Sequence, residues 1–176
     1  MRRDKEAPPD PLTAALRMLA RRPYSLAEMR RALEKKYPDA NQVHKAITRL
    51  RELRYLDDKQ FAEHYASSLA RNRAYGRQRI RRELKAKLVD YRQIEPALAQ
   101  AFEETSEHDL LEQTLEKKLR SLRLPLTRAK LATLCHSLLR RGFRSEDIIK
   151  AVRSRPELSP VTDDVDLEED GVTNSE

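Results

Sequence analysis

The chain has three glycines, at positions 76, 142 and 171, and one cysteine, Cys135, among its 176 residues. It has no tryptophan, and aromatic residues make up 5% of it. A dinucleotide fingerprint or a phosphate-cradling P-loop needs several clustered glycines, so both are excluded. A single cysteine cannot form an internal disulfide, and in LATLCHSLL it reads as a small buried hydrophobe. No apolar run is long enough for a signal-peptide core or a membrane span, so the sequence reads as a soluble cytoplasmic protein. A chain with few aromatics and 37% charged residues fits helices with thin apolar stripes better than a β-sandwich.

Positive charge is abundant. Residues 157–176 contain eight acidic residues and no Lys or Arg. All 36 basic residues therefore fall in 1–156, against 21 acidic ones, a net of +15 for the body. A body this basic attracts polyanions, with nucleic acid the first candidate. The densest stretch, Arg71 to Lys87, holds eight basic residues and one acidic residue, Glu83.

The apolar positions repeat. Met29, Leu33, Val43 and Ile47 are spaced 4, 10 and 4 apart; Ile80, Leu84, Ile94 and Leu98 share that spacing, and so do Leu134, Leu138, Ile148 and Val152. A four-residue step puts two side chains on one helix face, and ten residues leave room for a turn and a new helix. A further helix precedes each pair, carrying Leu12, Leu16 and Leu19, then Phe61, Tyr65 and Leu69, then Leu111, Leu115 and Leu119. The expectation is an all-α fold of three tandem three-helix repeats in an elongated, curved array. Its divisions are a flexible arm at 1–10, repeats at 11–55, 56–104 and 105–156, and a disordered acidic tail at 157–176. That tail is either a free solubilising segment or a competitor for the basic surface.

Local signals mark the helix starts. Ser25 with Glu28 forms a capping box, and Tyr24 with Met29 the hydrophobic staple around it. Leu56, Asp57 and Phe61 supply cap and staple for the fourth helix, and Tyr75 and Ile80 bracket Gly76 at the same spacing. Leu126 and Leu131 bracket Thr127, which makes the eighth helix about one turn longer than the fifth. Gly142, after Arg140 and Arg141 and before Phe143, reads as a helix C-terminus. Pro96 reads as a first-turn proline of the sixth helix.

No arrangement of reactive residues points to catalysis or metal binding. Asp57 and Asp58 are consecutive, so they do not face each other on a helix, and Asp57 serves as a cap. His44, His64, His108 and His136 show no metal-ligand spacing. Cys135 and His136 point about 100° apart on a helix and form no thiolate–imidazole pair. No cofactor is expected. On a helical wheel with Ile80 at 0°, Leu84 and Leu88 complete a buried face, while Gln78, Arg79, Arg81, Arg82 and Lys85 form one broad positive face. Arg71, Arg73 and Arg77 extend it. Arg30 and Arg31 supply the counterpart in the first repeat, and Arg140 and Arg141 in the third.

The stretch YLDDKQFAEHYASSLARNRAYGRQRIRRELKAK resembles the central signature of the RecX family of bacterial recombination regulators. LLRRGFRSEDIIKAV resembles that family's C-terminal signature, and PYSLAEMRRALEKK its first repeat. The resemblance covers about residues 12–153. It implies tandem three-helix repeats and a non-enzymatic regulator that binds the RecA recombinase filament on single-stranded DNA. Such a regulator bridges neighbouring protomers and suppresses ATP hydrolysis, strand exchange and filament extension. It also implies DNA binding by several members, and what it maps onto this chain is a binding surface around Tyr75, Gly76, Arg77, Ile80 and Arg81 and around Arg140, Arg141, Gly142 and Phe143. Two positions depart from the pattern. Arg54 and Leu88 stand where family members often carry glycine at a turn. A monomer acting on the filament is the first reading; a helix-turn-helix regulator of duplex DNA is the alternative.

Overall fold

The computed structural model describes residues 9–158. Residues 1–8 of the expected arm and 159–176 of the acidic tail lie outside that range. Among the described residues the chain forms nine α-helices and no strand. They are α1 (Pro11–Leu19), α2 (Leu26–Glu34), α3 (Ala40–Glu52), α4 (Asp58–Arg73), α5 (Arg77–Ala86), α6 (Tyr91–Glu104), α7 (Glu107–Leu119), α8 (Arg128–Arg141) and α9 (Ser145–Arg153). A short 3-10 turn, Pro156–Leu158, follows.

The helices gather into three apolar cores, one per group of three. The repeating apolar positions are the reason. Met29, Leu33, Val43, Ile47, Ile80, Leu84, Ile94, Leu98, Leu134, Leu138 and Ile148 are all buried, and Val152 is half-buried. The starts are capped as the sequence indicates. Ser25 Oγ accepts from the Glu28 amide at 3.1 Å and completes the capping box. Asp57 accepts from the Lys59 and Gln60 amides at 2.9 and 3.1 Å. Leu56 and Phe61 are both buried beside that cap.

On α1 and α4, alanines are buried more completely than most of the large residues singled out above. In α4, Ala62, Ala66 and Ala70 are fully buried at four-residue intervals. They face Ala97, Leu98 and Ala101 of α6, the helix on which α4 packs most extensively. In α1, Ala14 and Ala15 are buried while Leu16 is exposed. Small side chains let two helix backbones approach closely.

Two expectations are corrected. Pro96 lies inside α6, because Asp90, accepting from the Arg92 amide at 2.9 Å, starts that helix well upstream of it. The ring has no N–H to offer the Arg92 carbonyl, so α6 lacks that bond in its second turn. Leu88 is not part of the buried face of α5. The helix ends at Ala86, Leu88 turns outward at φ 57, and Val89 is buried instead.

Leu88 and Arg54 share a physical role. Each is the left-handed residue of a Schellman ending. At α5, the Leu88 and Val89 amides donate to the Lys85 and Leu84 carbonyls at 2.9 and 3.2 Å. At α3, the Arg54 and Tyr55 amides donate to Arg51 and Leu50 at 2.9 and 2.8 Å. Both sites keep the backbone that favours glycine, with φ 57 at each, although a side chain is present. That conformation costs a side-chain-bearing residue about 1–2 kcal/mol. Glycine relieves it but gives back about 0.5–1 kcal/mol in unfolded-chain entropy. Arg54→Gly and Leu88→Gly are therefore each expected to raise stability, by up to about 1 kcal/mol. Urea unfolding checks this, and a lower midpoint in both variants would refute the assignment of strain.

Candidate partner-binding surface

The second helices of the three groups meet end to end. Ser25, the N-cap of α2, donates its hydroxyl to the carbonyl of Lys87, the C-cap of α5, at 2.5 Å. Gly76, the N-cap of α5, donates its amide to the carbonyl of Arg141 at the end of α8 at 2.8 Å, and the Gln78 amide donates to Gly142 at 3.1 Å. The negative end of α8 thus meets the positive end of α5, and the negative end of α5 meets the positive end of α2. That head-to-tail order is electrostatically favourable.

Carboxylates from the following group close each joint. Asp58, the first residue of α4, accepts from the Leu26 amide at 2.7 Å. Glu107, the first residue of α7, accepts from the Arg77 amide at 2.7 Å. Burial pushes the Asp58 carboxyl above its ordinary range, against the pull of the Leu26 amide. Glu28 bridges the first joint by binding Arg22 at 3.3 Å and Lys87 at 3.1 Å. Burial raises its carboxyl, but these two cations outweigh it and the net direction is down.

The joints differ in substance. The first is closed by side chains. The second is closed by two glycines in backbone contact. A Cβ on Gly76 would stand 2.6 Å from the Gly142 oxygen, and one on Gly142 would stand 2.2 Å from the Arg79 nitrogen. Gly142 also has φ +93. Arg141 reinforces the joint by donating to the Arg73 carbonyl at 2.7 Å. Phe143 is buried beneath it in the third core.

This architecture narrows the positive face. Arg77 is half-buried, 3.5 Å from Glu107 and stacked over the Phe102 ring. Arg79 binds Glu83 at 2.7 Å and lies over Tyr75. Arg81 binds Glu95 of α6 through two nitrogens, at 2.7 and 3.0 Å, and holds that carboxyl below its usual range. Arg141 is committed to the joint. The outward cations of α5 are Arg82 and Lys85, both exposed and without an ion-pair partner among the described residues. Arg71 and Arg73 are exposed at the end of α4, Arg30 and Arg31 on α2, and Arg140 at the end of α8. Ile80 and Leu84 are fully buried beneath the α5 face, and Tyr75 packs at its start as the staple requires.

The third group does not repeat the pattern residue for residue. One repeat on from Arg82 and Lys85, α8 presents His136 and Leu139, both exposed. The neutralising carboxylates were not visible in the α5 segment, because Glu95 and Glu107 come from other helices. Glu107 alone had a positional signal, since it opens the first helix of its group as Asp58 does.

No group of three or more His, Cys, Asp or Glu side chains arranged to hold a metal ion occurs among the described residues. Cys135 is half-buried, and burial pushes its thiol up, away from the reactive thiolate. None of the helices described is long and apolar enough to cross a membrane.

Fold and surface together define a tandem three-helix-repeat protein with exposed cations along an end-to-end series of helices. Comparison with known proteins gives that class a family. Residues 12–50 match the model of the first three-helix domain of RecX, and residues 57–98 that of the second. "Regulatory protein RecX" of Chlorobaculum tepidum is 37% identical over 142 residues, covering 81% of this chain and 86% of the relative. The protein of the same name from Cronobacter sakazakii is 35% identical over 149 residues, covering 78% and 87%. The crystal structure of RecX from Lactobacillus salivarius superposes with a TM-score of 0.68 at 22% identity, over 82% of this chain and 93% of that one, which establishes the common fold. The chain belongs to the RecX family.

Proposed function

We propose that this protein regulates the RecA recombinase by binding its filament on single-stranded DNA and lowering ATP hydrolysis, strand exchange and filament extension. It acts in recombination, DNA repair and the SOS response as a cytoplasmic monomer, without catalysis of its own. The end-to-end series α8–α5–α2 carries this reading. It places Arg140, then Arg82 and Lys85, then Arg30 and Arg31 along one run of helices. A run of cations spaced over three helices suits a repeating acidic partner, either adjacent protomers or the phosphates between them. In this reading residues 11–55, 56–104 and 105–156 act as three linked contact units.

Readout of duplex DNA is disfavoured. The helices that would enter a groove begin with carboxylates: Asp39 caps α3, Asp90 caps α6, and Glu146 and Asp147 open α9. Recognition helices turn their N-terminal residues toward bases and phosphates, where these charges repel. Titrating the protein into DNA-dependent ATP hydrolysis by RecA tests the proposal.

A further inference from the structure

A groove runs over the third group, between the end of α7 and the first turns of α8. Its volume is about 310 Å³, at the small end of the range of about 300–1,000 Å³ common for ligand pockets. Leu122, Ala129 and Leu134 line it with hydrocarbon, and Lys118 and Lys130 border it, one from each helix. Three hydroxyls also border it, and each is turned onto its own chain. Ser121 donates to the Lys118 carbonyl at 2.7 Å, Thr133 to that of Ala129 at 2.9 Å and Ser137 to that of Leu134 at 2.7 Å. With those donors used, the groove offers a visitor apolar surface and two ammonium groups.

The charge around it is of one sign. From Lys117 to Ser145 the chain has nine basic residues and no acidic one. Six of them fall between Lys117 and Lys130, at the groove, and none of these has an ion-pair partner among the described residues. On α5, Arg77, Arg79 and Arg81 are met by Glu107, Glu83 and Glu95. Around this groove the described residues supply no such counterpart.

The complement lies in the same chain. Residues 159–176 carry seven acidic residues and no basic one, with Val161, Val165, Leu167 and Val172 among them. In an extended segment Val165 and Leu167 share one face, and Asp164, Asp166 and Glu168 the other. The described chain also ends in a suitable place. Leu158 is buried in the third core, and Arg155 binds Glu112 of α7 at 2.7 Å, so the chain stops beside the helix that forms one wall. Lys118 lies on a different side of α7 from Glu112, so the segment has to pass round a helix about 10 Å across. Seven residues from Leu158 to Val165 span up to about 23–25 Å, which is enough.

We propose that residues 161–168 dock into this groove, with Val165 and Leu167 against Leu122 and Leu134 and the carboxylates paired with Lys118 and Lys130. The occupant is the chain's own tail rather than a separate protein, because the tether holds it at an effective concentration of about 1 mM. At that concentration even an affinity of about 0.1 mM keeps the groove about nine-tenths filled. Docking withdraws the cations at the start of α8 from other acidic partners. Arg140, ten residues and about 15 Å further along that helix, stays open, as do Arg82 and Lys85. The proposal does not rest on the recombinase contact.

The test compares amide NMR spectra of the full chain and of a Val165→Ser, Leu167→Ser double variant. Both substitutions lie outside the described residues, so the three cores are untouched. The amides of Lys118, Leu122, Lys130 and Thr133 are expected to shift, while those of Arg82 and Lys85 keep their positions. A synthetic peptide of residues 159–176 restores the original signals. It binds the double variant about tenfold more tightly than the unaltered chain, whose own tail competes. Adding Lys118→Glu and Lys130→Glu to the double variant removes peptide binding. Unshifted groove amides, or shifts confined to α5 and α2, would overturn the proposal. So would a peptide that binds both chains equally, or one whose binding survives the two lysine reversals.

Discussion

Gly142→Ala is expected to open the joint between the second and third groups and to lower stability by on the order of 4–7 kcal/mol. Three costs combine in that figure. A left-handed backbone is disfavoured by about 1–2 kcal/mol once a Cβ is present. The new methyl would sit 2.4 Å from the Arg79 Cβ and 2.2 Å from its nitrogen, and the nitrogen belongs to a helix that cannot yield alone. Overpacking of this kind costs about 1–3 kcal/mol. The Gly76–Arg141 and Gln78–Gly142 backbone bonds would be strained, at about 1 kcal/mol each. Urea unfolding reads the total, and hydrogen exchange at the Gly76 and Gln78 amides reads the joint itself. Faster exchange at those two amides is the specific signature. A wild-type midpoint with unchanged protection there would contradict the assignment. The first joint shows why the second needs glycine. There Ser25 occupies the place of Gly76 and Leu88 that of Gly142, and a hydroxyl spans the gap that two bare backbones close at the second.

Reversing Arg82 and Lys85 together to glutamate is expected to raise the concentration needed to inhibit RecA at least tenfold at low salt. Both side chains are exposed, with no ion-pair partner among the described residues, so the reversal leaves the core and the urea midpoint unchanged. Every phosphate that a cation no longer neutralises lowers the slope of log affinity against log salt by about 0.7 for a single strand. The variant should therefore be markedly less salt-sensitive than the unaltered protein. Arg81→Gln provides the contrast. Its guanidinium is held by Glu95, so its effect on inhibition should be small beside that of the double reversal. An unchanged inhibition curve for the double reversal would remove α5 from the contact surface.

Much of the fold was legible because helical periodicity is a local signal. The 4–10–4 spacing located the buried faces of all three groups, and Ser25 and Asp57 announced their helices through side chains that cap amides two or three residues on. The greater length of α8 was legible from the staple around Thr127. What escaped was either small or distant. The alanine faces of α1 and α4 give little hydrophobic signal, yet they set how closely the helices approach. The joints are made by atoms far apart in sequence, as between Ser25 and Lys87 or Arg141 and Arg73, and no window of residues reveals them. The same distance concealed the internal partners of Arg77 and Arg81, so a face read as wholly outward is partly neutralised. Arg54 and Leu88 show the opposite case. Their departure from glycine was visible, but that the backbone would retain the left-handed turn was not.

The measurement that bears most directly on the central claim is the steady-state rate of ATP hydrolysis by RecA on single-stranded DNA, with this protein titrated from well below one molecule per protomer. The rate should fall at sub-stoichiometric amounts, because a regulator that bridges protomers acts on a filament rather than on single subunits. A rate that stays constant to stoichiometric amounts, with binding to the filament demonstrated in the same samples, would contradict the account.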